Sequence, residues 1–217
     1  MAVFAGDTAI VSLGISCQTA MQMSEHAALF DRHFLGKATH ASTPLDWLLT
    51  GQTALARMLE QDLYFPVDDD ELGRNVRPFW RRMNVYYFHE PMILVQPGEV
   101  RAKFDHMTRT LAKARDCARR VFIISNSQNN LPAQDEMIGE RWWFLDDDGL
   151  RGVRAAVEAR FGPSELYVVS YRGRHAVERA ADRLFELEPD ASNVRGDASQ
   201  WAQVFEAVLE AGPAVPA

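Results

Sequence analysis

Three short apolar runs rich in β-branched residues stand out along the chain: Thr8–Leu13 (TAIVSL), Arg120–Ser125 (RVFIIS) and Leu166–Ser170 (LYVVS). Each is bounded by glycine or polar residues and is too short for a buried helix, so each predicts a buried strand. Between them the apolar positions switch to a helical period. Helices are expected over Ser16–Ala28, over Gln52–Gln61 with Leu55, Met58 and Leu59 on one face, and over Glu99–Arg119 with Val100, Phe104, Met107, Leu111 and Ala114 on one face. Further helices are expected over Leu150–Phe161, stopped by Gly162-Pro163, over His175–Leu187, and over Ser199–Leu209, with a short element near Asn193–Val194. Strands alternating with helices predict an α/β fold, a mostly parallel sheet flanked by helices.

One stretch breaks the pattern. Residues 62–98 hold an acidic run at Asp68–Glu71, then Arg74, Arg77, Arg81 and Arg82, then two apolar runs, Val85–Phe88 and Met92–Val95, around His89-Glu90-Pro91. An irregular insertion is expected there, with two short strands or one broken strand. The rest reads as one domain over residues 1–211 with a frayed tail at 212–217.

Composition narrows the chemistry. The formal charge of −7 argues against a general nucleic-acid binder, since that role wants a basic face. The two cysteines, Cys17 and Cys117, cannot build a disulfide framework, and no CxxC or Cys/His cluster suggests a metal. No cofactor is implied, because the chain lacks GxGxxG and GxxxxGK[ST] loops. Residues 1–7 carry no signal-peptide pattern, and no run approaches the roughly 20 apolar residues of a membrane span. A cytoplasmic protein with free thiols, acting on a small molecule or peptide and not on nucleic acid or membrane, is the expectation. The oligomeric state is open.

In open α/β sheets ligands bind beyond the carboxyl ends of the strands. That rule selects Gly14–Cys17, Ser125–Asn130 and Tyr171–Arg174. In the first, Gly14 lets the chain turn out of its strand, Ser16 is a candidate N-cap, and Cys17 falls in the first turn of a helix. Helix N-terminal amides favour an anion, and the thiolate is the nucleophilic form of cysteine. The same amides, with Gln18 or Asn126, would serve an oxyanion. A buried cysteine is also common as plain packing, and Cys117 is read that way. His89 emerges at a strand end beside Glu90 and Pro91 and is the candidate base, or a satisfied loop histidine. Asp46, between Leu45 and Trp47, would orient a histidine or cap the helix that follows.

These residues together resemble an uncharacterised, mainly bacterial family of papain-like cysteine peptidases. The blocks are Ser12-Leu13-Gly14-x-x-Cys17-Gln18-x-Ala20, Pro44-Leu45-Asp46-Trp47 and Phe88-His89-Glu90, spread over about half the chain. The family pattern has Phe where Leu45 stands and Asp where Glu90 stands. The resemblance implies Cys17 as nucleophile, His89 as base and Asp46 as orienting acid. A papain-like fold, however, differs from the α/β sheet read here. That sheet is more similar to hydrolases whose nucleophilic serine follows the first strand and whose asparagine follows a middle strand, where Asn126 stands. Their Asp-x-x-His pair becomes Asp197-Ala198-Ser199-Gln200, and Gln200 is no base. Two other functions fit the strand-end rule. A non-catalytic module would hold an anionic or sugar-like ligand at Ser16–Gln18 with Arg172 and Arg174, and a transfer enzyme would bind sugar hydroxyls at Ser125–Asn130.

Overall fold

The computed structural model describes residues 1–190 and 193–211; the tail expected at 212–217 lies outside the described residues. In chain order the elements are β1 (Ala2–Ala5), β2 (Thr8–Ser12), α1 (Gln18–Glu25), α2 (Ala27–His33), β3 (Thr39–Ala41), β4 (Leu48–Leu49) and α3 (Gln52–Gln61). Then come β5 (Leu72–Arg74), β6 (Pro78–Trp80), β7 (Val85–Tyr87), α4 (Pro97–Ala112), β8 (Arg119–Ser125), α5 (Asp135–Ile138) and β9 (Leu145–Asp146). The chain continues with α6 (Asp147–Phe161), β10 (Glu165–Tyr171), β11 (His175–Ala176), β12 (Arg183–Leu187) and α7 (Ala198–Glu210).

The main sheet has the order β12-β10-β8-β2-β1-β3. Strands β2, β8, β10 and β12 are parallel, and β1 and β3 add an antiparallel edge. The period of two along each strand divides its side chains between two cores. Phe122 and Ile124 of β8, Val11 of β2 and Leu166 and Val168 of β10 join the core under α3, α4 and α6. Val121 and Ile123, Ile10, and Tyr167 and Val169 join the core under α1, α2 and α7, where Phe30, Trp201 and Phe205 pack. Both faces are therefore covered, which is why the central strands read as continuous apolar runs.

The α/β class and the mostly parallel sheet agree with the expectation, and the differences have physical causes. Residues 62–98 hold part of a second, antiparallel sheet of order β4-β7-β6-β5. Met92–Val95 is not a strand but a turn, with Val95 N donating to Met92 O at 2.9 Å. Only Ile93 of that run is buried, so no alternating face exists to hold it in a sheet. The expected helix at His175–Leu187 is instead β11, a loop and β12. Asp147 Oδ1 accepts the amides of Glu178, Arg179 and Ala180 at 3.0, 3.2 and 3.1 Å, and the edge of β10 pairs with Arg183–Leu187. Long-range partners thus override a helix-favouring composition. The element near Asn193 is a turn closed by Gly196 N to Asn193 O at 3.0 Å. The first expected helix starts two residues later than read, and α2 follows it after His26. The long fourth helix ends at Ala112 and tightens into a 3₁₀ turn over Lys113–Asp116. Among the described residues, no helix is long and apolar enough to cross a membrane.

Candidate functional site

The segment after β2 is strained. Gly14 has φ +90°, and a Cβ there would lie 2.9 Å from the Leu45 carbonyl oxygen. Ile15, β-branched and fully buried, has φ +74°. A left-handed β-branched residue costs on the order of 1–3 kcal/mol and persists only where its surroundings fix it. Here the Ile15 side chain is packed in the core and its carbonyl accepts Thr50 N at 3.2 Å. The turn sets Cys17 as the N-cap of α1. Ser16 Oγ, the expected cap, accepts Gln18 N at 3.4 Å, a long bond one residue ahead of the helix.

Cys17 is 8% exposed, and its Sγ–H donates a long bond of 3.9 Å to Gln128 Oε1. It lines a cavity of about 270 Å³ with Met21, Trp47, Phe88, His89, Gln128 and Arg195. Burial pushes the thiol up; its own backbone amide and the charge of Arg195 pull it down and are outweighed. Burial thus outweighs the helix N-terminal amide in setting the direction of the shift, opposite to the direction the sequence pattern suggests.

His89 follows β7 and is exposed on one side. Its ring lies edge-on to Trp47, with centroids 5.1 Å apart. Among the described residues it has no hydrogen-bond partner. Partial burial lowers its pKa, opposed by Glu90 and aided by Arg77 and Lys103, so the neutral ring, the form that accepts a proton, is favoured. Glu90 is itself paired with Lys103.

Asp46 corrects the third expectation. It is 1% exposed, yet its oxygens accept Thr43 N at 2.7 Å and Thr43 Oγ1 at 2.6 Å, and Oδ1 also contacts the Met1 amino group. It neither bonds His89 nor caps α3, whose N-cap is Gly51. The two residues do share a second cavity of about 490 Å³, beside the first, with Met21, Trp47 and Arg195 in the walls of both.

The remaining candidates are spent on the protein itself. Gln18 Nε2 donates to Arg195 O at 2.9 Å, and Gln18 Oε1 accepts Ser127 Oγ at 3.2 Å. Asn126 Nδ2 donates to Trp143 O at 2.9 Å and Arg174 O at 2.7 Å. Both donors of the Asn126 amide are therefore engaged, and one of the two on Gln18 Nε2. Arg174 NH1 donates to the carbonyls of Asn126 and Gln128, at 3.1 and 2.7 Å. Asn129 Nδ2 holds Asn193 O at 2.9 Å, so the polar loop after β8 secures the chain around it. The three strand-end loops do converge, as the contacts Cys17–Gln128 and Asn126–Arg174 record. Sequence reading missed Gln128, though its loop was selected, and it missed Arg195, for which no local signal existed.

Comparisons with protein-family models, with curated proteins and with solved structures find no match to this chain.

Proposed function

We propose that the protein is a cysteine-dependent hydrolase or acyl transferase, with Cys17 as nucleophile and His89 as general base. The observation that carries this reading is that both side chains line one cavity of about 270 Å³, one delivered by a strained turn and the other without a hydrogen bond of its own. Strain and unspent polar groups concentrate at functional sites.

Because burial raises the thiol, the scheme is written with a general base rather than a preformed ion pair. With a carbonyl compound in the cavity, the His89 imidazole takes the Sγ proton as sulfur attacks the carbonyl carbon. The tetrahedral oxyanion faces the Cys17 end of α1, whose amides supply partial positive charge. The carbonyl re-forms, the bond to the leaving oxygen or nitrogen breaks, and His89 returns its proton to that atom. A thioester remains on Cys17. Water, or an acceptor alcohol or amine, then attacks the thioester as His89 takes its proton; sulfur leaves and regains a proton from His89. Asp46 has no part in this scheme, and the peptidase-like substrate implied by the sequence resemblance is one case of it.

The test is a panel of activated aryl esters, thioesters and peptide amides, assayed with wild type, Cys17→Ala and His89→Ala. Turnover lost in Cys17→Ala and reduced about 10²–10⁴-fold in His89→Ala is expected. Turnover that survives Cys17→Ala would sink the proposal. A second reading, a binding module in which Cys17 is packing, is favoured by the raised thiol and by the lack of a Cys17–His89 hydrogen bond. It gains if the whole panel is inert and Cys17 alkylation is indifferent to His89→Ala.

A further inference from the structure

Arg195 is held by its backbone from three directions while its side chain stays 60% exposed. Gln18 Nε2 and Gln22 Nε2, from the face of α1 that follows Cys17, both donate to the Arg195 carbonyl, at 2.9 and 2.8 Å. These glutamines are 1% and 0% exposed. Asn193 Oδ1 accepts Arg195 N at 2.9 Å, and Asn193 O is held in turn by Asn129 of the β8 loop at 2.9 Å. The next residue, Gly196, has φ +79°, and a Cβ on it would lie 2.7 Å from Gln18 Nε2, so the close approach needs glycine. Buried amides are costly unless bonded, and two of them aimed at one carbonyl fix that backbone firmly.

The one ionic partner of the Arg195 guanidinium among the described residues is Glu25, at 2.9 Å. A solvent-exposed pair of this kind contributes little to stability and does not account for so much buried scaffolding. What the scaffolding achieves is placement. Arg195 lines the cavity that holds Cys17 and also the adjoining cavity that holds Asp46, with His89 in both. The first cavity is also lined by Met21, Trp47, Leu48, Leu49, Phe88 and Leu131, apolar side chains suited to a hydrocarbon segment.

Resting on the hydrolase reading of Cys17, we infer that Arg195 is a specificity-determining residue that selects acyl compounds bearing an apolar segment and a carboxylate or comparable anion. The apolar segment lies against Trp47 and its neighbours. The anion displaces the Glu25 carboxylate from the guanidinium, for which arginine offers two parallel donors.

The experiment compares two thiol reagents of similar size, iodoacetate and iodoacetamide. In each case the Cys17 thiolate displaces iodide and forms an S–C bond. The rate at Cys17 is followed by site-resolved mass spectrometry, with a blocked cysteine as reference. The protein carries a net charge of −7, which on average disfavours iodoacetate at its surface. The expected iodoacetate-to-iodoacetamide ratio at Cys17 is about fivefold above the reference and falls as salt is raised. Arg195→Gln returns the ratio to the reference, Arg195→Lys keeps most of it, and Glu25→Gln raises it. A change in thiol pKa cancels in the ratio, so a purely structural role for Arg195 would not move it. A wild-type ratio at or below the reference, or one unchanged in Arg195→Gln, overturns the inference. His89→Ala separates the two readings: it slows both reagents alike if His89 is the base, and it leaves the ratio intact. If His89→Ala changes nothing while Arg195→Gln collapses the ratio, the base assignment fails and the anion site stands.

Discussion

Two neighbouring polar clusters involve the loops that follow the parallel strands, the second completed by His89 from the antiparallel sheet. Around Arg174 and Asn126 the donors are committed: Asn126 Nδ2 reaches two carbonyls, and Arg174 reaches Asn126 O, Gln128 O and Asn129 O while lying over the rings of Trp143 and Tyr171. Around Cys17 and His89 they are not. Cys17 makes one 3.9 Å bond, and His89 makes a ring contact with Trp47. The difference teaches how to read polar residues at one sheet edge. Groups that fill their hydrogen-bonding capacity with backbone hold loops in place, whereas groups left unspent at a cavity wall are available to a ligand. By this criterion the amide nitrogen of Asn126, an oxyanion candidate by sequence, belongs to the scaffold, while its buried Oδ1 has no partner among the described residues.

The largest effect that would break the comparison is on stability. Arg174→Ala removes a donor from three carbonyls and a cation from two aromatic faces, and about 3 kcal/mol should be lost in urea unfolding, since bonds to a charged group contribute about 1.5–3 kcal/mol each but are not additive. Cys17→Ala should cost no more than about 1 kcal/mol, because it removes one small buried sulfur without opening a polar network. Equal losses, measured with unchanged m-values, would show that the two clusters are both structural.

The same contrast bears on what the sequence could reveal. The parallel strands were legible because period-two burial on two covered faces is written in local apolar runs such as Val121–Ile124. The site was legible to the extent that Gly14–Cys17 and Gln128 follow strands. What depends on distant partners was not. Gln18 and Gln22 meet Arg195 across 177 and 173 residues, and nothing near Arg195 signals it. Asp147 captures amides 31 to 33 residues away, which turns a helix-like segment into a loop and strand. Asp46 looked like an orienting acid, since an acid between two large apolar residues is buried and bonded; its actual partners, Thr43 and the Met1 amine, were not readable from that pattern.

A smaller effect sharpens the description of the unspent cluster. Burial holds the Cys17 thiol above its ordinary value. Its alkylation by iodoacetamide should therefore rise with pH along a curve displaced to higher pH than that of a blocked free cysteine. The sign follows from the acid form being favoured in the folded protein: the folded state keeps its proton where the unfolded chain has begun to lose it. That contribution to stability is full below the unfolded thiol pKa and is lost as pH rises through the folded one. A curve displaced to lower pH would mean that the helix N-terminus and Arg195 win over burial, and would replace general-base attack with a preformed thiolate.

The smallest effect concerns His89. Partial burial against Trp47, with Arg77 and Lys103 adding to it, lowers the pKa despite Glu90. An NMR titration of the ring should give a midpoint below that of an ordinary histidine, about 6.5. The unfolded chain then takes up a proton at a pH where the folded protein does not, so any stability carried by His89 is present above that value and is lost as pH falls through the folded pKa. Trp47→Leu removes the edge-on ring and should move the midpoint back toward the ordinary value, while the scaffold at Arg174 is untouched. If the midpoint instead lies above 6.5 and stays there in Trp47→Leu, Glu90 governs the ring, His89 is protonated near pH 6, and it would serve the cavity as a cation rather than as a base.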